Sequence, residues 1–283
     1  MSKRLGGAEV AAGIREYLIS KTSDCREKGV NPTLAIVRVG ARPDDLAYEK
    51  RVRSNCEKVG LSFRVYESPE DVSQEDFEAL IQSLNNDRET DGILVFRPLP
   101  KTLDEERICA MVSVSKDVDC MNPESLSNVF LGRNEGFAPC TPEAVVEILK
   151  YYDVPLSGAS AVIVNRSMVL GKPLSQMLLR ENATVTVCHS KTKNMAEITR
   201  KADIVVTGVG KAGYFTADFF SENNTVIDVG INFKNGKMTG DVDYEGAEPL
   251  VSAITPVPGG VGAVTSMILL KHTADAAWRR ANE

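Results

Sequence analysis

The stretch SAVIVNRSMVLG at residues 160–171 decides the fold class of the second half of the chain. Its composition predicts a buried strand, a short polar turn and a glycine near the start of a helix. Further apolar runs at residues 184–188, 203–207 and 225–229 alternate with helix-like segments. Strands that alternate with helices predict a parallel α/β sheet, whose ligands bind outside the carboxyl ends of the strands.

The first half of the chain alternates in the same way. Its sequence predicts strands at residues 33–40, 62–67 and 91–96, and helices at residues 45–59, 74–84 and 103–112. Residues 119–142 are rich in glycine, proline and asparagine and predict a loop-rich boundary. A helix over residues 142–151 follows, with Thr141 as its cap and Pro142 in its first turn. In the second half, Asn235-Gly236 predicts a hairpin turn.

These patterns predict an α/β fold of two domains. We place the first domain at residues 1–140 and the second, with the parallel sheet, at residues 141–262. A long last helix at about residues 263–283 is expected to pack back on the first domain.

Composition excludes several classes of protein. The 283 residues carry 33 Lys and Arg against 39 Asp and Glu, a net charge of −6, whereas nucleic-acid binders are normally basic. No apolar run approaches the roughly 18 residues of a membrane span, and the N-terminus lacks a signal-peptide core. Six scattered cysteines without a CxxC pair indicate reduced thiols in the cytoplasm, and two histidines exclude a His-rich metal site. We therefore expect no nucleic-acid partner, no membrane association and no metal.

Polar turns after the predicted strands of the second half indicate a nucleotide site. In the turn Asn165-Arg166-Ser167, we expect Asn165 to adopt the left-handed conformation of a glycine. Ser167 and nearby backbone amides would then hold a phosphate at the start of a helix. The next strand is followed by Ser190 and Lys191, without the carboxylate that bonds the ribose of NAD. Because arginine and hydroxyl groups suit a 2′-phosphate, the sequence favours NADP over NAD.

Glycines after the two following strands extend this site. Gly208 and Gly210 end one strand, and Ile231 lies in the turn after the other. Each feature alone is compatible with an ordinary turn. The four in series favour a dinucleotide site, because glycines at strand ends allow a ligand close to the backbone.

A longer set of motifs resembles one enzyme family. The second half contains TPVPGGVG at residues 255–262, DVGIN at 228–232 and GDVD at 240–243. The first half adds Tyr48, CEKVG at 56–60, DGILV at 91–95, PLP at 98–100, KDVD at 116–119 and CTP at 140–142. In this order and spacing the motifs resemble the methylenetetrahydrofolate dehydrogenase/cyclohydrolase family over nearly the whole chain.

The resemblance implies a fold and a reaction. The fold has an N-terminal α/β folate domain and a Rossmann-type NADP-binding domain, with the folate in a cleft between them. The reaction oxidises 5,10-methylenetetrahydrofolate to its 5,10-methenyl form with NADP, and the family commonly hydrolyses that product to 10-formyltetrahydrofolate. The resemblance also implies a cytoplasmic homodimer.

The resemblance further implies site residues. Tyr48 and Asp119 match catalytic positions, with Asp119 as the anchor of the pterin ring. The residues expected to line the substrate pocket are Val52, Phe96, Pro258, Gly259 and Gly260. Those expected to contact the cofactor are Asn165, Arg166, Ser167, Ser190, Gly208, Gly210 and Ile231.

Two pocket residues depart from the family pattern. The family has a catalytic lysine four residues after the tyrosine, on the same helical face, where this chain has Val52. It has a glutamine that hydrogen-bonds this lysine, where this chain has Phe96. Arg51, three residues after Tyr48, is a poor substitute because arginine stays protonated.

The chemistry of the two steps predicts which one suffers. Hydride transfer needs no protein base, because a folate nitrogen lone pair drives it, and the protein mainly orients the reactants. Hydrolysis needs water to be activated and protons to be moved, for which a positioned group contributes about 10²–10⁴-fold. We therefore predict a dehydrogenase with weak or absent cyclohydrolase activity. Two alternatives stay open: another group restores hydrolysis, or the chain is a silent paralogue that binds folate or nucleotide.

Overall fold

The computed structural model describes residues 2–234 and 236–283, which form two compact units. One unit comprises the chain up to Ala12 together with Thr141–Thr265, and we call it the six-stranded unit. The other comprises Gly13–Cys140 and Ser266–Glu283, and we call it the three-stranded unit. The first and last helices, α1 (Gly7–Glu27) and α10 (Val261–Arg280), each contribute residues to both units.

The three-stranded unit is built on a parallel sheet of strand order β3-β2-β4. Its strands are β2 (Thr33–Val39), β3 (Ser62–Ser68) and β4 (Gly92–Val95). Its other helices are α2 (Pro43–Val59), α3 (Gln74–Asn86), α4 (Glu105–Met111) and α5 (Pro123–Leu131). Phe77 and Ile81 of α3 are buried against Val37 of β2 and Val95 of β4, so the apolar face of α3 covers the sheet.

Helix α5 corrects the prediction of a loop over residues 119–142. The Asn122 side chain accepts a hydrogen bond from the Glu124 amide, and Pro123 occupies the first turn. Gly132 ends the helix in a left-handed conformation. The same Asn, Pro and Gly residues that indicate a loop are therefore the start and stop signals of a short helix. The next helix, α6 (Cys140–Tyr151), begins before Thr141, so Thr141 lies inside it rather than at its cap.

The six-stranded unit contains a parallel sheet of strand order β1-β11-β8-β7-β5-β6. Its strands are β1 (Lys3–Arg4), β5 (Ser160–Val164), β6 (Thr184–Cys188), β7 (Ile204–Thr207), β8 (Thr225–Asp228) and β11 (Ala253–Ile254). From β5 the chain moves first to β6 on one side and then to β7 on the other. This reversal sets the carboxyl end of β5 beside those of both neighbours, the place where doubly wound sheets bind ligands.

Helices and a hairpin complete the six-stranded unit. The helices are α7 (Gly171–Arg180), α8 (Met195–Arg200) and α9 (Tyr244–Ala247). Strands β9 (Asn232–Lys234) and β10 (Lys237–Thr239) pair antiparallel, as the predicted hairpin requires, but Asn235 of its turn lies outside the described residues. Within residues 2–234 and 236–283, no helix combines the length and apolar character needed to span a membrane.

Candidate active site

Two apolar side chains occupy the positions where the resemblance implies a lysine and a glutamine. Val52 lies one turn after Tyr48 on α2 and is 1% exposed. Phe96 directly follows β4, its amide donates to the Val37 carbonyl at 2.8 Å, and its side chain is 5% exposed. The rings of Tyr48 and Phe96 have centroids 5.4 Å apart. The structure therefore brings Tyr48 and Phe96 into contact.

Asp119 lies in the same unit, close enough to Tyr48 to influence its ionisation. Burial raises the pKa of the Tyr48 hydroxyl, and the Asp119 carboxylate raises it further, so the hydroxyl stays protonated at neutral pH. Burial also raises the pKa of Asp119, which hydrogen bonds from Cys140 and the charge of Arg97 oppose. The Arg97 Nη2 and Asp119 Oδ2 atoms are 3.9 Å apart.

Neighbouring groups hold the backbone on both sides of Asp119. The Asp117 carboxylate accepts hydrogen bonds from the Met121 and Asn122 amides, both at 2.8 Å. His272 Nδ1 lies 2.8 Å from the Val118 carbonyl oxygen, to which it donates a hydrogen bond. Cys120 has a φ of 55°, a left-handed value that is uncommon for a residue other than glycine. These contacts fix the direction of the Asp119 side chain.

In the six-stranded unit, Asn165 plays a different role from the one predicted. Its φ is not positive, so the expectation of a left-handed Asn165 is wrong. Instead, its Oδ1 accepts from the Ser167 amide at 2.7 Å, the Ser167 hydroxyl at 2.8 Å and the Gly171 amide at 3.0 Å. Its Nδ2 donates to the Gly208 carbonyl. Asn165 thus links the turn after β5 to the turn after β7. Its side chain accepts hydrogen bonds from backbone amides that we expected to bind a phosphate.

Asp241 anchors the loop after β7. This fully buried carboxylate accepts hydrogen bonds from the amides of Val209, Gly210 at 3.0 Å and Lys211 at 2.7 Å. The Asn232 side-chain amide also donates to it, at 2.9 Å. Four donors bonded to one buried carboxylate fix the path of the loop.

The residues around the carboxyl ends of β5 and β6 fit a phosphorylated dinucleotide. Arg166 and Ser190 follow these adjacent strands and are exposed, as is Lys191. The four residues after Cys188, at the end of β6, include no carboxylate. A Cβ on Gly171 would lie 1.9 Å from the Asn165 carbonyl oxygen, so the close approach of turn and helix requires glycine there. Ile231 is also exposed, at 58%.

The segment Pro258-Gly259-Gly260 before α10 packs closely on the start of α1. Gly259 has a φ of 96°, and a Cβ on Gly260 would lie 2.4 Å from the Pro256 carbonyl oxygen. The Gly7 amide donates to the Gly259 carbonyl at 2.7 Å. Pro258 and Gly259 are exposed, whereas Gly260 is buried. Both glycines are therefore required by backbone geometry, whatever they contact.

No group of acidic, histidine and cysteine side chains within residues 2–234 and 236–283 is arranged to hold a metal ion. All six cysteines are buried and form no disulfide.

Two family models match the chain. Residues 5–119 match "Tetrahydrofolate dehydrogenase/cyclohydrolase, catalytic domain", and residues 139–281 match the "NAD(P)-binding domain" of the same family. The chain belongs to the tetrahydrofolate dehydrogenase/cyclohydrolase family. The predicted family and the predicted two-domain α/β fold with a parallel sheet are therefore confirmed. The cofactor prediction is confirmed as a nucleotide of the NAD(P) type.

Relatives within this family are similar over their whole length. The chain is 54% identical over 280 residues to the bifunctional protein FolD of Clostridium botulinum, covering 99% of both chains. A crystal structure of bifunctional FolD from Campylobacter jejuni superposes with a TM-score of 0.96 at 40% identity, covering 99% of this chain and 100% of that one. A Trypanosoma brucei FolD structure, complexed with NADP cofactor and an inhibitor, superposes with a TM-score of 0.91 at 33% identity, covering 98% of both.

Sequence reasoning missed two residues of this site. Asp241 belongs to the GDVD motif, but its role as a loop anchor depends on contacts 30 to 32 residues away in sequence. Arg97 follows Phe96 directly, and its pairing with Asp119 spans 22 positions. Neither contact has a local sequence signal.

Proposed function

We propose that this protein oxidises 5,10-methylenetetrahydrofolate to 5,10-methenyltetrahydrofolate with NADP, and hydrolyses the methenyl product weakly or not at all. The observation that carries the second part is the burial of Val52 and Phe96 beside Tyr48. Membership of the family, together with relatives named bifunctional over their full length, supports the first part. NADP rather than NAD is supported by Arg166 and Ser190, which follow adjacent strands without a nearby carboxylate.

In the oxidation step the protein orients its two ligands. Bound NADP supplies the hydride acceptor. Asn165 and Asp241 hold the loops after β5 and β7, and Arg166, Ser167, Ser190, Gly208, Gly210 and Ile231 are the residues that we propose contact the cofactor. Asp119 is proposed to bind the donor edge of the pterin, and Tyr48 to line the folate site. Positioning of this kind supplies much of the rate of a hydride transfer that needs no protein base.

The hydrolysis step lacks a suitable base beside Tyr48. The Tyr48 hydroxyl is protonated because burial and the nearby Asp119 carboxylate raise its pKa. Arg97 carries a guanidinium, which does not lose its proton in proteins. Val52 and Phe96 carry no ionisable group. The remaining candidate is Asp119, which would have to activate water while it anchors the pterin.

The test is a pair of assays on the purified protein. Methylenetetrahydrofolate with NADP reports oxidation through NADPH formation, and methenyltetrahydrofolate alone reports hydrolysis against an enzyme-free blank. NADPH formation with methenyl product accumulating, and hydrolysis at the blank rate, is the expected result. Fast hydrolysis would show that another group activates water and that the enzyme is fully bifunctional. No reduction of NADP or NAD would favour a silent folate- or nucleotide-binding paralogue.

The domain boundaries, the oligomer and the compartment belong to the same proposal. We infer a folate domain at residues 1–140, joined by the last helix, and a cofactor domain at residues 141–262. Pro258, Gly259 and Gly260 are assigned to the substrate pocket.

Edge strand β6, which pairs only with β5 among the described strands, supports a homodimer because an open edge can pair with another chain. Six cysteines without a disulfide among them are compatible with the cytoplasm. Light scattering after size exclusion would report twice the 30.8 kDa chain mass for the dimer.

A further inference from the structure

Arg97 is a cation in the proposed folate site that the family resemblance does not account for. The chain runs extended from β4 through Phe96, whose amide still bonds to β2 at Val37. Successive side chains on an extended chain point to opposite sides. Phe96 contacts the ring of Tyr48, whereas Arg97 reaches towards Asp119, with 3.9 Å between Nη2 and Oδ2.

The geometry of this pair leaves hydrogen-bonding capacity for a ligand. At 3.9 Å the two charges attract, but the separation is too long for a hydrogen bond. The side chains of Arg97 and Asp119 are 28% and 32% exposed, so both remain accessible from solvent. Asp119 is held by Cys140, and Arg97 also lies close enough to Cys109 to oppose the burial-driven rise in the pKa of that thiol. A carboxylate acceptor and a guanidinium donor therefore lie side by side.

This pattern matches one edge of a pterin ring. A 2-amino-4-oxopterin presents two donors, the 2-amino group and N3–H, followed by one acceptor, the 4-oxo oxygen. A carboxylate binds the two donors, and the adjacent acceptor then requires a donor beside that carboxylate. We propose that Arg97 determines specificity by donating a hydrogen bond to the 4-oxo group while Asp119 binds the donor edge. This inference rests on the proposed folate function and extends it to recognition of the pterin.

The test compares two ligands that differ at the 4-position. Folic acid has a 4-oxo group and a hydrogen on N3, whereas aminopterin has a 4-amino group and no hydrogen on N3, so each ligand's affinity is compared between wild type and variant. Their dissociation constants are measured, by quenching of Trp278 fluorescence or by calorimetry, for the wild type and for Arg97→Leu. Arg97→Lys keeps the charge without the planar fork. Arg107→Leu, which removes an exposed arginine paired with Glu78, is the matched control.

We expect Arg97→Leu to weaken folic acid binding about tenfold or more, because a hydrogen bond to a charged donor contributes about 1.5–3 kcal/mol and 1.4 kcal/mol is tenfold. Aminopterin binding should be unchanged or tighter, so the preference for the 4-oxo ligand falls. The affinity of Arg97→Lys for folic acid should lie between those of the wild type and Arg97→Leu. Arg107→Leu should bind both ligands as the wild type does.

The outcomes separate this inference from the proposed function. If folic acid binds the wild type and Arg97→Leu keeps the same preference for folic acid over aminopterin, the Arg97 assignment alone is overturned. The ion pair of Arg97 with Asp119 is then structural. Folic acid that does not bind the wild type would overturn the folate proposal and the Arg97 assignment together. A preference lost equally in Arg107→Leu would show a general charge effect and would also overturn the assignment.

Discussion

At positions 52 and 96 lie the two side chains on which the proposed loss of hydrolysis depends. Val52 and Phe96 are almost fully buried and bring no charge or hydrogen bond to the region of Tyr48. The resemblance implies a lysine and a glutamine here, and the absence of both is self-consistent, because a buried polar residue without its partner would cost about 1–3 kcal/mol. An apolar pair avoids that cost, and Phe96 packs against the Tyr48 ring.

Restoring the polar pair should restore hydrolysis. The double variant Val52→Lys/Phe96→Gln should gain methenyltetrahydrofolate hydrolysis by about 10²-fold or more, because a positioned acid or base contributes about 10²–10⁴-fold. The measurement is loss of the methenyl substrate against a blank, with NADPH formation assayed in parallel. The apolar double variant Val52→Ile/Phe96→Leu is the control and should gain nothing. A folded polar double variant with full oxidation and no added hydrolysis would contradict the role given to this pair.

The charge of Asp241 also has a defined role, because its carboxylate holds the loop after β7. Replacing it by asparagine puts an NH₂ group where backbone amides point, so the loop at residues 208–211 should lose its anchor. We expect Asp241→Asn to raise the KM for NADP about tenfold, as the loss of one charge-assisted bond implies, with a smaller change in kcat. Exposed Asp218→Asn is the control. Unchanged KM for NADP in Asp241→Asn would mean that the loop does not depend on this carboxylate.

Among the secondary-structure elements, helix α5 is defined by residues that start and end a helix rather than by its apolar content. Helix α5 lies in a segment with a loop-like composition, but Asn122, Pro123 and Gly132 define its ends. Helix α1 was absent from our sequence predictions although its Val10, Ile14 and Leu18 have helical spacing. Their signal is weakened by Gly13, which lies between Val10 and Ile14 and has low helix propensity.

A helix cap gives a test at this scale. The Ser73 hydroxyl accepts a hydrogen bond from the Asp76 amide at 3.0 Å and caps α3. Ser73→Ala should lower the free energy of unfolding of the three-stranded unit by about 1 kcal/mol. Urea unfolding followed by the fluorescence of Trp278, the sole tryptophan, measures this loss because Trp278 belongs to that unit. Ser23→Ala, at an exposed position inside α1, should be neutral; an equal loss there would contradict the assignment to the cap.

On the scale of the whole molecule, contacts distant in sequence join the C-terminal helix to the three-stranded unit. Arg280 of α10 forms a two-pronged ion pair with Asp91, at 2.7 Å and 3.1 Å. Asp91 also accepts from the Thr33 amide at 2.9 Å, and its side chain is 1% exposed. Within this unit, the predicted return of the last helix to the first half of the chain thus has a specific electrostatic contact.

The Asp91–Arg280 pair predicts a pH-dependent stability. Burial raises the pKa of Asp91, and Arg280 opposes that rise. Arg280→Leu should therefore raise the pKa of Asp91 further. Where a carboxyl has a higher pKa in the folded state than in the unfolded state, about 3.9, the free energy of unfolding falls as the pH rises from the unfolded-state pKa through the folded-state pKa. We expect a loss of about 3 kcal/mol at pH 8 and a smaller loss at pH 5.

Urea unfolding monitored by Trp278 at the two pH values measures this difference. Arg107→Leu breaks a more exposed pair with Glu78 and serves as the control. It should cost less than about 1 kcal/mol at both pH values, because solvent screens exposed pairs. A loss in Arg280→Leu that is the same at pH 5 and pH 8 would contradict the buried-carboxylate explanation.

The alternation of strands and helices, the family and the NAD(P) cofactor type could be predicted from the sequence, because strand periodicity, turn residues and ordered motifs are local signals. The departures at Val52 and Phe96 from the family pattern stay a prediction from the sequence. Only the tertiary structure decided that Asn165 bridges two turns, that Asp241 anchors a loop and that Arg97 faces Asp119. Those contacts join residues 22 to 43 positions apart, and a hydrogen bond at such a separation depends on strand order and packing rather than on neighbouring residues.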